Sequence, residues 1–209
     1  MLAPPSGRNQ DGSMEAVETR ILLFDDVEVL DFAGPFEVFS IAETPDHRKA
    51  FNVKIVAESK RTVVARNGLK IVPDLAFSDQ DRYQLLIVPG GRAAETTELA
   101  NPVLLGWLRE QARKVDLVAS VCTGALLLAK VGLLDGLEAT THWMDIPRLQ
   151  EENPEVRVKP GARFVDQGRI ITSAGISAGI DMSLHIVERY FGKEASRATA
   201  RRMEYDFIS

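Results

Sequence analysis

Past residue 20 the chain alternates short, wholly apolar runs with longer stretches whose apolar positions recur every three or four residues. Ile21–Phe24 (ILLF), Leu85–Val88 (LLIV) and Leu117–Val121 (LVASV) are too short for helices. They also lack the polar alternation of a half-solvated strand, so they predict strands covered on both faces. Phe51–Ala57 (FNVKIVA) alternates and predicts a strand, and Arg66–Asn67–Gly68 between Thr62–Ala65 and Leu69–Val72 predicts a hairpin turn. Val156–Val158, Arg163–Val165 and Arg169–Thr172 predict short strands around the turns at Pro160–Gly161 and Gln167–Gly168.

Helical spacing fills the intervals. Gly34–Pro35 is read as a helix opening followed by Phe36, Val38, Phe39 and Ile41. Asn101–Pro102 is a cap and first helical residue for Leu104, Leu105, Leu108 and Ala112. Thr123–Val131 is short and almost entirely apolar; Ser177 is expected to cap a long helix carrying Ile180, Leu184, Val187 and Phe191 up to Gly192. A charged helix over Lys193–Tyr205 closes the pattern.

Strands alternating with helices imply βαβ units, hence an α/β, doubly wound, mostly parallel sheet between helices. Sites in such sheets lie beyond the carboxyl ends of the strands. That directs attention to the segment after Phe24, to Pro89–Gly91 and to Val121–Gly124. Residues 1–19 are polar and rich in Pro and Gly and are read as a disordered arm, leaving residues 20–209 as one domain.

Composition narrows the function. Of 209 residues, 45% are hydrophobic and 26% charged, and the formal net charge of −5 offers no basic footprint for nucleic acid or an anionic membrane. The arm lacks the apolar core of a signal peptide and no run spans a bilayer, so a cytoplasmic protein is expected. One cysteine forms no internal disulfide and no metal centre is expected.

That cysteine, Cys122, lies in Ser120–Val121–Cys122–Thr123–Gly124, between a strand and a helix. Small residues two before and two after it suit a nucleophile elbow. The elbow places the sulfur at a helix N-terminus, where free N–H groups favour thiolate, and turns the Thr123 N–H toward an oxyanion. Gly91, after the strand ending at Val88, is the candidate second oxyanion donor. Asp31 is either a helix-terminal carboxylate or a general acid/base facing the sulfur with a raised pKa. Of the three histidines, His47 is read as solvated, His185 as a helix-packing or surface residue, and His142 as a pocket-lining candidate. Gly175–Ile176–Ser177–Ala178–Gly179 matches a hydrolase pattern, but Asp181 and His185 follow on the same helix, too far along it for a triad with Ser177.

LDFAGPFEVF at 30–39, IVPGG at 87–91, SVCTGALLLAKVGLLDG at 120–136, ATTHW at 139–143 and ITSAGISAGIDMSLHIVE at 171–188 together resemble the ThiJ/PfpI superfamily. This group is glutamine-amidotransferase-like and includes deglycases. Within it, the pattern is similar to isonitrile hydratases and to the ligand-domain half of AraC-type transcription regulators. The resemblance implies a flavodoxin-like sandwich, a homodimer, Cys122 as nucleophile, Asp31 as acid/base, Thr123 as its pocket neighbour, a small-molecule substrate and no cofactor. Thr123 stands where the protease branch has His, and Asp31 where the deglycase branch has Glu. Activity of the glyoxalase or deglycase type and a non-catalytic sensor are the alternatives; because the sequence ends at Ser209, direct nucleic acid binding is not expected.

Overall fold

In a computed structural model, which describes residues 15–206, the chain forms a seven-stranded sheet with helices packed against it. The elements run β1 (Val17–Leu22), α1 (Val29–Ile41), β2 (Phe51–Ala57), β3 (Val63–Val64), β4 (Lys70–Ile71), β5 (Leu75–Ala76) and β6 (Leu85–Val88). They continue α2 (Pro102–Ala112), β7 (Leu117–Val121), α3 (Gly124–Lys130), β8 (Glu138–Ala139), α4 (Ile146–Glu152) and β9 (Arg157–Val158). The chain finishes with β10 (Phe164–Asp166), β11 (Ile170–Ser173), α5 (Ala178–Phe191) and α6 (Lys193–Arg202). The main sheet has the order β10-β11-β7-β6-β1-β2-β5, parallel except for β10 on β11. The expected α/β, doubly wound, mostly parallel architecture is therefore present.

The central strands are buried because both faces are covered. Every residue of β6 and β7 is buried, and Ile21, Leu22, Leu86 and Ile87 have no accessible surface. Helices α1, α5 and α6 pack on one another in one layer. There Gly34 and Gly179 let backbone approach closely: a Cβ on Gly34 would lie 3.1 Å from Ile180, and one on Gly179 2.9 Å from Val121. Within β1 Arg20, 1% exposed, donates to Asp81, Glu18 and the carbonyls of Thr19 and Asn52, so its buried charge is paired and hydrogen-bonded.

Local signals translate directly. Asn101 Oδ1 accepts from the N–H groups of Val103 and Leu104 at 3.0 and 3.2 Å, and Pro102 opens α2. The Asn67–Gly68 turn, with φ of 64° and 93°, joins antiparallel β3 and β4.

Two boundaries and one cap differ most from the sequence reading. The first strand starts at Val17, so Val17–Thr19 belong to the sheet, not to an arm. They pair in register with Phe51–Val53, and Thr19 is fully buried despite its hydroxyl. Residues 1–14 of the expected arm lie outside the described residues. Helix α1 starts at Val29, and Gly34–Pro35 lies inside it. Proline there removes one N–H, the one that would bond the Asp31 carbonyl, and tertiary packing offsets that loss. Ser177 stands at the start of α5 but makes no capping hydrogen bond; its hydroxyl accepts from Arg163 at 3.4 Å instead.

Candidate active site

The carboxyl ends of β6, β7 and β11 and the first turn of α1 meet around Cys122. Strand β7 delivers it on a backbone with φ of +55°, a left-handed conformation that a non-glycine residue adopts at a cost of about 1 kcal/mol or more. The turn is held from several sides. The Cys122 N–H donates to the carbonyls of Ser173 and Ala174 at 3.2 and 3.3 Å, and the Thr141 hydroxyl donates to the Cys122 carbonyl at 2.8 Å. Thr141 was not singled out in the sequence, where nothing marks a hydroxyl that braces a distant carbonyl. The turn also requires Gly124, whose pro-side-chain position points into the carbonyls of Val88 and Pro89.

Asp31 sits in the first turn of α1, fully buried, and its Oδ2 accepts from the Gly90 N–H at 3.0 Å. The Cys122 thiol and the Ile176 N–H also act on this carboxyl. Among the described residues, Asp31 Oδ1 and Ser120 Oγ are the buried side-chain oxygens without a partner in hydrogen-bond geometry. Burial drives the Asp31 pKa up to about 7, the Gly90 N–H opposes the rise, and the Glu28 charge adds to it.

Cys122 is 6% exposed. Burial pushes the thiol pKa upward, and the charges of Asp31 and Asp145 push the same way; the Thr123 N–H, aimed at the sulfur, pulls it down. This corrects the expected thiolate. Helix α3 has seven residues, too short a dipole to offset desolvation and a neighbouring carboxylate. The resting pair near neutrality is a protonated sulfur beside a carboxyl poised between its two states.

Gly91 does not offer the free N–H expected of it, because that group donates to Thr123 Oγ1 at 3.0 Å. The Thr123 hydroxyl in turn donates to the Gly91 carbonyl at 3.3 Å. The Thr123 side chain thus clasps Gly91, while the Thr123 N–H remains the backbone donor directed at the sulfur. The glycine that touches the acid is Gly90. A Cβ there would lie 2.5 Å from Thr123 N and Oγ1 and 2.9 Å from Asp31 Oδ2. Gly90→Ala is expected to destabilise the fold by about 2 kcal/mol through overpacking. It should also lower the alkylation rate of Cys122 by iodoacetamide, as mass spectrometry with a denaturation curve would show.

His142 stands at the site's edge with no hydrogen bond to Cys122 among the described residues. Its ring lies against Gly175, where a Cβ would overlap the imidazole, and its Nδ1 is 3.6 Å from Asp145 Oδ2. Ile176, with φ of +57°, is a second strained residue that the sequence reading passed over; the signal was its place between Gly175 and Ser177 in a strand-to-helix junction. The hydrolase-like pattern around it forms no triad, since Asp181 pairs with Arg163 while His185 bonds Asp166 at 2.7 Å. His47 is exposed beside Glu43. No group of three or more metal-ligating side chains occurs among the described residues. Nor is any helix there long and apolar enough to cross a membrane.

The chain is 34% identical over 190 residues to the isonitrile hydratase of Pseudomonas putida, covering 91% of this chain and 79% of that one. It is 30% identical over 205 residues to the HTH-type transcriptional regulator GbdR of Pseudomonas aeruginosa, covering 98% of this chain but 53% of the regulator, so it spans about half that protein's length. A THiJ/PfpI family protein from Pseudomonas syringae superposes with a TM-score of 0.82 at 27% identity, covering 94% of this chain and 78% of that one. Drosophila melanogaster DJ-1beta, at 21% identity and a TM-score of 0.80 over 92% of this chain and 100% of its own, shares the fold. The family model matching residues 18–189 agrees with both kinds of likeness: the chain belongs to the DJ-1/PfpI family.

Proposed function

We propose that the protein adds water to an isonitrile, R–N≡C, giving an N-substituted formamide, with Cys122 as nucleophile and Asp31 as the proton-transferring group. The observation that carries this is the buried Asp31 carboxyl, tuned to about 7 and facing the protein's sole thiol, with the Thr123 N–H on the sulfur. A thiol and one carboxyl suffice for addition to a multiple bond, whereas amide hydrolysis requires a donor for a leaving amine.

In the working protonation state Asp31 is ionised and the thiol neutral. Asp31 takes the thiol proton as sulfur bonds the terminal carbon, and returns that proton to the same carbon, leaving the thioimidate R–N=CH–S–Cys122. Water adds across the C=N bond, its hydroxyl to carbon and its proton to nitrogen. The C–S bond then breaks as the C=O forms, the hydroxyl proton passes to sulfur through Asp31, and R–NH–CHO leaves. Sums of atoms and charge match R–N≡C plus H₂O, without metal or organic cofactor.

The similarity to isonitrile hydratase supports the reaction class, and the half-exposed Leu30 and Phe36 on α1 support a homodimer as part of the same reading. The similarity to GbdR along nearly the whole chain favours a second reading, a pocket that senses a small molecule. Incubation with an alkyl isonitrile decides between them. Formamide production by the wild type and none by Cys122→Ala is the expected result; silence from the wild type leaves the sensor.

A further inference from the structure

The charges around Cys122 are lopsided. Asp31 and Asp145 both act on the sulfur, and both are negative. Glu28 adds to the field at Asp31, and Glu95 shares the field of Asp145. The cations nearby are already held: Arg66 by Glu28 at 3.0 Å, and Arg148 by Glu152 at 2.9 Å and the Glu95 carbonyl at 2.8 Å. Arg92, beside Gly91, has its side chain exposed, where water screens it. Asp145 faces the His142 ring at 3.6 Å, beyond hydrogen-bond length, and both side chains are less than one-fifth exposed. The fully buried Asp31 Oδ1 has no partner in hydrogen-bond geometry and so presents an acceptor to an incoming molecule.

A carboxylate on an incoming molecule must shed its hydration here against Asp31 and Asp145, with Arg66 and Arg148 already engaged and Arg92 turned out to water. An uncharged body meets no such penalty, and an ammonium group gains from the same field. Apolar surface is available to the uncharged part: Ile176, 37% exposed, follows the Gly175 turn beside His142, and Trp143, 74% exposed, is the next residue after it. We infer that the molecules this site accepts are uncharged or cationic, and that carboxylate-bearing molecules of equal size are rejected. The inference rests on Cys122 being the reacting atom, the first element of the function proposed above.

The test uses the protein's single cysteine as its own probe. Methanethiosulfonates carrying a trimethylammonium, a plain methyl or a sulfonate group each transfer their alkylthio group to the sulfur. Methanesulfinate leaves and the thiol proton passes to solvent. Rates on the intact protein, each divided by the reagent's rate with a free thiol, compare charge alone. The cationic reagent is expected to exceed the anionic one by about tenfold at low salt, as a field of one or two net charges at such range implies. High salt and Asp145→Asn should each shrink that ratio several-fold. A ratio at or below one, or no labelling by any of the three reagents, overturns the inference. Because no turnover is required, a biased ratio without formamide production retires the hydratase reading and retains this one; formamide production with an unbiased ratio does the reverse.

Discussion

Asp31→Asn is expected to cut isonitrile turnover by about 10³-fold, the scale of a lost acid/base, and at the same time to stabilise the protein above neutral pH. The two effects share one cause. Asparagine keeps the shape and an oxygen for the Gly90 N–H, but removes the proton carrier and the buried charge. For stability the sign is as follows. An aspartate that titrates at 3.8 when unfolded and at about 7 when folded binds its proton more tightly in the native state. Its contribution is fully present below the unfolded value and is lost as pH rises toward 7. Wild type should therefore weaken relative to Asp31→Asn between pH 5 and pH 8 by about 3 kcal/mol, at 1.4 kcal/mol per pH unit across the part of that window below 7. Denaturant curves of both proteins at the two pH values measure this, and parallel pH dependence would show that Asp31 is not buried as a charge. Turnover by the proposed mechanism has the opposite slope: it uses the ionised carboxylate, so kcat/KM should fall on the acid side with a midpoint near 7.

Gly124→Ala is expected to be the most damaging single methyl group near the site. The added Cβ would fall 2.2 Å from the Val88 carbonyl oxygen and 2.9 Å from that of Pro89. Both are backbone atoms at the end of β6, which is paired with β1 on one side and β7 on the other, so neither yields without breaking sheet hydrogen bonds. A loss of about 3 kcal/mol or more follows, which for a chain of this size lowers the melting temperature by roughly 10 °C. Thermal unfolding with Gly106→Ala as control checks it, because a Cβ at Gly106 meets nothing within 4 Å. Equal melting points would show that the elbow has slack.

Features settled by neighbours in the chain were legible beforehand. The buried runs of β6 and β7, the Asn101 cap, the Asn67–Gly68 turn and the elbow at Cys122 depend on residue types a few positions apart. What escaped depends on contacts across the fold. Val17–Thr19 read as polar, yet register with β2 draws them into the sheet. Edge strand β5 has two residues and helix α4 seven, too few for a periodicity. Asp31 and Cys122 were recognisable as a pair by residue type. Their protonation was not, because it depends on how completely β6, α1 and the Ile176 turn exclude water. The same holds for Gly90 and Gly91: the pair of glycines was visible, but which N–H meets Asp31 and which meets Thr123 is a matter of three-dimensional placement.

The strand order has a consequence for how this centre comes into being. β1 lies between β2 and β6, and β7 between β6 and β11, so the residues gathered at the sulfur come from segments some 90 and 50 residues apart, at chain positions 31, 122 and 176. Asp31 arrives with the first helix, Cys122 after the fifth parallel strand in chain order, and the Ile176 turn only after β11. A piece of the polypeptide must reach from α1 past β11 to hold all three, so under the proposed roles the centre is completed only when most of the sheet has been made.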